Sequence, residues 1–283
     1  MDSKYVDTHA HLNLSAFKDD LDEVMEKCQT ESVAVVNVGT KETTSRKAVE
    51  IAEEADNCFA IIGLHPIQTV SGMHDEDEIG EGGEPFKSKG EEFNPDLYRE
   101  LAKNNKVVGI GECGFDYWHT KVDTYGVQEV AFIEQIKLAN ELNLPLMIHT
   151  RGPKPDKQSP TGRSVYIDVY ETLKTHAKVP FNVHFYAGTI DEASKFLDIG
   201  GNISFTGVVT FAKDYEEIVK WAPLDKIHGE TDCPFVAPRS YRGKRCEPWM
   251  VIEVYKKIAE LKNLDEELVR EQLIKNARKF YNI

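Results

Sequence analysis

The most restrictive feature of this chain is a rhythm. Eight short apolar runs alternate with longer amphipathic segments: Lys4–His9, Val33–Gly39, Phe59–Leu64, Val107–Glu112, Leu146–His149, Phe181–His184, Asn202–Phe205 and Lys226–Glu230. Several are rich in Val and Ile and apolar on both faces, as strands buried in a parallel sheet are. The intervening segments read as helices. Asp19–Thr30 puts Leu21, Val24, Met25 and Cys28 on one face, and Val122–Leu142 carries Val127, Val130, Ile133, Ile136, Leu138 and Leu142 as its apolar positions. Asp265–Phe280 reads as a last helix on the outside. Eight strand-then-helix units predict an α/β fold, a (β/α)8 TIM barrel forming a single domain over residues 1–283. A doubly wound open sheet is the rival, since a sequence does not display closure.

Two stretches interrupt the rhythm. Ser71–Phe93 is rich in Gly and Glu, lacks periodicity and reads as a solvated loop insertion after the third strand. Gly152–Arg163 is a Pro- and Lys-containing loop after the fifth. Loops that follow strands lie on the C-terminal face of a barrel, where active sites sit.

Composition narrows the function. Hydrophobic residues make up 41% and charged residues 29%, which suits a globular core. No apolar run reaches the roughly 18 residues of a membrane span, so no membrane partner is expected. The start MDSKYVDTH has neither the basic nor the apolar stretch of a signal peptide. Five cysteines, an odd number without a CxxC pair, predict free thiols in a reducing cytoplasm. The net charge of −14 repels nucleic acid at long range, so a polyanionic substrate requires a local positive patch or bound metal.

Metal-capable residues collect at the strand ends. The first strand ends in His9-Ala-His11, the fourth in Glu112 (GIGECGFDYW), the fifth in His149 (LMIHTR) and the sixth in His184 (NVHFYAG); the eighth runs into Asp232 (GETDCPF). In a strand, residues two apart share a face, so His9 and His11 can approach one ion together. In a closed barrel these strand ends surround one axial cavity. Imidazole and carboxylate suit Zn²⁺, Mn²⁺ and related ions, and carboxylates also suit Mg²⁺. Glu112, in the middle of the set, is the natural bridge between two ions. It also follows the apolar run VVGIG, where an unpaired Glu is costly to bury. Any one of these histidines taken alone is most often an ordinary rim residue; the joint pattern carries the reading. Cys113 and Cys233 flank Glu112 and Asp232 and should point away from them, into packing.

In order along the chain, VDTHAHL, GLHP, GECGFDY, IHTR, HFYAG, ETDCPF and RGKRCEP resemble the signatures of the TatD-type metal-dependent hydrolases, from about Tyr5 to the C-terminal NARKFY. The resemblance implies an amidohydrolase-like TIM barrel, divalent metals and hydrolysis of DNA, including 3′-5′ exonuclease action. It implies His9, His11, Glu112 and Asp232 at one metal and Glu112, His149 and His184 at the other. It points to His65 and Arg151 as substrate contacts or supports of the ligands. The chain departs from the usual pattern at HFYAG, at Cys233, at Cys246 and in the acidic insertion.

The expected chemistry is deoxyribonuclease action with two divalent ions, Mg²⁺, Mn²⁺ or Zn²⁺. Asp232 orients the attacking water or takes its proton, and Arg151 faces the charge that develops on the phosphoryl oxygens. Arg239, Arg242, Lys244 and Arg245, with Arg151, Lys154, Lys157 and Arg163, can form a positive lip for DNA or RNA, with Arg242 and Lys244 as substrate contacts. Tyr117, Trp118, Phe185 and Tyr186 either stack on bases or pack under loops. No obligate protein partner is evident. Two rivals stand beside this reading: an esterase or amidase on the same scaffold, such as an aminoacyl-tRNA deacylase, and a non-catalytic metal-binding module.

Overall fold

A computed structural model describes residues 3–74, 86–119 and 124–283. In chain order the strands and helices are β1 (Tyr5–Ala10), α1 (Leu21–Thr30), β2 (Val33–Val38), α2 (Glu42–Glu54), β3 (Cys58–Ile62), β4 (Ser71–His74), β5 (Phe86–Lys89), α3 (Pro95–Leu101), β6 (Val107–Asp116), α4 (Tyr125–Leu142), β7 (Leu146–Arg151), α5 (Val165–His176), β8 (Phe181–Val183), α6 (Ile190–Asp198), β9 (Asn202–Phe205), α7 (Glu216–Trp221), β10 (Ile227–Gly229), α8 (Val251–Lys262) and α9 (Glu266–Tyr281). Eight strands pair in the order β1-β2-β3-β6-β7-β8-β9-β10, every ladder parallel.

The open-sheet rival fails at the seam, where the last strand meets the first. Asp232 N–H donates to His9 O at 2.8 Å and His11 N–H to Cys233 O at 2.9 Å. The buried Asp7 carboxylate accepts the Thr231 N–H at 2.9 Å and its hydroxyl at 2.5 Å. These bonds join β1 to the segment after β10 without a regular ladder. The eight strands therefore form a nearly closed barrel, with the expected helices between them.

Strand residues alternate between two packing layers, as period-2 geometry requires. On β2, Val33 and Val35 join the layer against the helices, while Ala34, Val36 and Val38 face the barrel interior. Val6, Ile61, Val108 and Met147 share that interior with Ala277, Phe280 and Tyr281 of α9, so the C-terminal helix closes the floor of the barrel. Helices α4, α8 and α9 end at Asn143, Asn263 and Asn282, each in the left-handed conformation that an Asn tolerates as a helix stop.

Two expectations are corrected and one alternative is resolved. The insertion at 71–93 is not wholly irregular: its flanks pair as an antiparallel ribbon, Ser71 opposite Lys89 and His74 opposite Phe86, with residues 75–85 outside the described chain. The apolar face of α4 is turned from the one expected. Val127 and Val130 are 47% and 63% exposed, whereas Gln128 and Gln135 are buried beside Phe132 and Ile136. Each glutamine bonds the backbone N–H and C=O of one residue, Gln128 at Asp116 and Gln135 at Leu64. The need to satisfy strand-end peptide groups overrides the hydrophobic pattern there. Residues 122 and 123, read as the start of this helix, lie outside the described chain. Lastly, Tyr117 and Tyr186 are buried and bonded to Asp168 and to Thr189 O, so they pack under loops. No helix among the described residues is long and apolar enough to cross a membrane.

Candidate metal centre

The strands deliver their side chains to one point at the C-terminal mouth. Strict alternation from the inward Val6 would not bring His9 inside, three residues later. The β1 ladder shifts register between Asp7 and Ala10, and the β6 ladder shifts between Ile110 and Cys113, across Glu112. Such irregularities re-aim side chains at a barrel rim. His9 and His11 end with their Nε2 atoms 3.0 Å apart, as residues sharing one face.

Glu112 is 3% exposed and ringed by five imidazoles. Its Oε1 lies 2.7 Å from His149 Nδ1, 2.8 Å from His184 Nε2 and 3.6 Å from His65 Nε2. Its Oε2 lies 3.4 Å from His9 Nε2 and 3.6 Å from His11 Nε2. Asp232 Oδ1 completes the set at 3.4 Å from His11 Nε2 and 3.6 Å from His9 Nε2. The structure thus brings together every expected ligand, on β1, β6 and β7 and the segments after β1, β8 and β10. His65, expected as a substrate contact or a support of the ligands, enters the same cluster. It caps the 3-10 turn Pro66–Thr69 through Nδ1, which leaves Nε2 toward Glu112.

The electrostatics follow from this crowding. Burial alone raises the Glu112 carboxyl, but the imidazoles of His184, His65 and His9 and the hydrogen bond from His149 override it and hold the group well below the usual carboxylate range. Asp232 behaves alike: burial raises it, and the His11 bond with the charges of His184 and His9 brings it below its ordinary value. Burial pushes His65 down to about 4, helped by His149, and pushes His9 down too, helped by His184. Burial also opposes charge on His184, yet Glu112 and Glu230 carry that imidazole well above its ordinary value. Two carboxylates and several buried imidazole nitrogens converging this closely are a donor set for a cation. Two overlapping trios, His9–His11–Glu112 and His65–Glu112–His149, each bring ligand atoms within 4.8 Å of one another. The donor set therefore fits divalent metal.

Two carboxylates were missed in the sequence. Asp116, fully buried in the same GECGFDY stretch as Glu112, accepts from His149 Nε2 at 3.0 Å and His119 Nδ1 at 3.0 Å. Glu230, two residues before Asp232, is fully buried and lies 3.5 Å from His184 Nδ1. Asp116 ends β6 and Glu230 directly follows β10, and a carboxylate at such a place was the available signal. Cys113 and Cys233 are buried and their thiols are pushed up by burial, away from thiolate.

The basic residues of the rim divide. Arg245 is bound to Asp20 and Glu247, and Arg163 to Asp168, so these two are spent on ion pairs rather than on a positive lip. Arg151 and Lys154 stand over the Trp118 ring, at 5.0 and 5.5 Å, and Arg242 over Phe211 at 4.7 Å. Arg151, Arg242 and Lys244 are exposed. Phe185 is half-buried and edge-on to His184.

Residues 6–282 match the family described as TatD related DNase. An uncharacterized metal-dependent hydrolase, YabD, of Bacillus subtilis is 36% identical over 282 residues, covering 98% of either chain. The 3′-5′ ssDNA/RNA exonuclease TatD of Pantoea ananatis is 27% identical, covering 98% of this chain and 99% of its own. Among solved structures, YJJV, a TatD homolog from Escherichia coli K12, superposes with a TM-score of 0.80 at 20% identity, covering 100% of both chains.

Proposed function

We propose, from the premise that this chain belongs to the TatD-related DNase family and is a metal-dependent hydrolase, that it cleaves phosphodiester bonds of DNA, or RNA, from the 3′ end. The observation that carries the reading is Glu112, a buried carboxylate within 3.6 Å of five imidazoles, with Asp232 beside it. The relative named as a 3′-5′ ssDNA/RNA exonuclease favours a nucleic-acid substrate.

In this reading His9, His11 and Asp232 would hold one divalent ion, His149 and His184 the other, and Glu112 would serve both. Bound there, Mg²⁺, Mn²⁺ or Zn²⁺ supplies Lewis-acid charge and lowers the pKa of water toward neutrality. Asp232, 9% exposed and held ionised by its histidine neighbours, takes the proton of the attacking water at a carboxylate oxygen. Arg151 offers its guanidinium to the phosphoryl oxygens, with Trp118 fixing its plane. Arg242 and Lys244 are exposed cations that meet the substrate backbone on a body of net charge −14.

The test is a chelator-stripped protein reloaded with each metal and offered single-stranded DNA, RNA and a carboxylic ester. Nucleotide release from the 3′ end that slows steeply with salt is the expected result. Turnover on the ester alone would move the chain to the esterases. Full metal occupancy without turnover on any substrate would make it a binding module.

A further inference from the structure

The ring nitrogens that face away from Glu112 are not all accounted for. His11 Nδ1 reaches Val38 O at 2.8 Å and His149 Nε2 reaches Asp116 Oδ2 at 3.0 Å. His9 Nδ1 and His184 Nδ1 are buried and have no hydrogen-bond partner among the described residues. Neither does a third buried atom, Glu230 Oε2. These three side chains bring ligand-type atoms within 4.8 Å of one another, and the His9 and His184 rings are stacked, centroids 4.0 Å apart and 19° from parallel.

Glu230 meets His184 from the side opposite to Glu112, at 3.5 Å from Nδ1. It is also anchored. Its Oε1 accepts the Phe185 N–H at 2.6 Å, and Phe185 stands at φ +45°, a left-handed conformation that a bulky side chain rarely adopts. The carboxylate therefore fixes the backbone next to His184 as well as meeting its ring. A fully buried carboxylate with one oxygen unpartnered is costly to keep.

We propose that Glu230 is a positioning residue shared by both metal positions. It draws the Nδ1–H of His184, and reaches that of His9 through one bridging water. One histidine from each position is thereby held with Nε2 unprotonated and aimed at Glu112. Acceptors of this kind behind metal-binding histidines fix tautomer and ring orientation, and their loss weakens metal binding by about 10–100-fold. The inference rests on the metal-centre reading given above.

Wild type and Glu230→Gln, stripped of metal, are titrated with Zn²⁺ against a competing chelator, with thermal unfolding of the metal-free forms as the control for folding. Both equivalents are expected to weaken, each by about 10–100-fold, at an unchanged melting temperature. Weakening of one equivalent only, or of neither, overturns the shared role. If the variant does not fold, ¹⁵N-imidazole spectra of Zn²⁺-loaded wild type decide: the proton is expected on Nδ1 of both His9 and His184, and a proton on Nε2 of either overturns it. Wild type that takes up no Zn²⁺ sinks the metal-centre reading and this inference with it. Wild type with two equivalents and a variant that equals it sinks the role of Glu230 alone.

Discussion

The two ends of the barrel bury histidine under opposite conditions. At the mouth, five imidazoles surround Glu112; burial opposes charge on all of them, and carboxylate neighbours override it at His11, His149 and His184 but not at His9 and His65. At the floor, His228 on β10 lies fully buried against the rings of Phe280 and Tyr281, and its Nε2 is 3.2 Å from the Asn202 side-chain amide. Burial takes that imidazole down to about 4. The same side chain thus joins a cluster suited to a cation at one end and packs against aromatic rings at the other. The difference lies in the neighbours: charged partners at the mouth, aromatic rings at the floor.

The contrast breaks most sharply on substitution. Glu112→Ala is expected to empty the centre and cut hydrolysis by about 10³-fold or more, while the fold persists; metal analysis beside circular dichroism checks this. The His9→Ala, His11→Ala double variant should lose one metal equivalent and keep the other on Glu112, His149 and His184. Loss of both equivalents would show the two positions to be more strongly coupled. At the floor, Phe280→Ala should do the reverse and remove about 3–5 kcal/mol of stability without changing metal stoichiometry, read by urea unfolding and metal analysis. A fall in metal content there would end the separation of the two ends.

The pH dependence sharpens the comparison further. Folded His228 titrates at about 4, below its ordinary 6.5, so between these values the unfolded chain binds more protons. Its contribution to stability is intact above pH 6.5 and is lost as pH falls to about 4, a change of ~3 kcal/mol at most. His228→Gln should flatten this acid limb in unfolding titrations, and an unchanged slope would refute the assignment. The smallest effect belongs to the rim. Arg242→Glu with Lys244→Glu should raise KM several-fold and reduce the salt dependence of nucleic-acid cleavage, leaving metal content untouched.

Much of this was legible in the sequence because burial on both faces leaves a continuous apolar signature. The second strand, expected at Val33–Gly39, is found at Val33–Val38. The clustering of the candidate ligands was legible because each lies at or just past the end of such a run. Three things were not. The register shifts that aim His9 and Glu112 are backbone events without a residue code. The inward face of α4 is set by peptide groups that only the folded strands leave unpaired. Asp116 and Glu230 serve the histidines from behind, through partners 33 and 46 positions away in the chain, and only the closed barrel reveals those meetings.

The two buried glutamines of α4 carry one more consequence. Each presents a C=O and an N–H to a single residue, so it stands in for a neighbouring strand at the point where the sheet runs out: Gln135 at Leu64, next to His65, and Gln128 at Asp116. Only an amide speaks both halves of that language. Gln135→Glu would set a carboxylate oxygen against the Leu64 carbonyl, and Gln128→Glu would do the same beneath Asp116. Through these backbone bonds α4 fixes where the Asp116 side chain begins and where the chain enters His65.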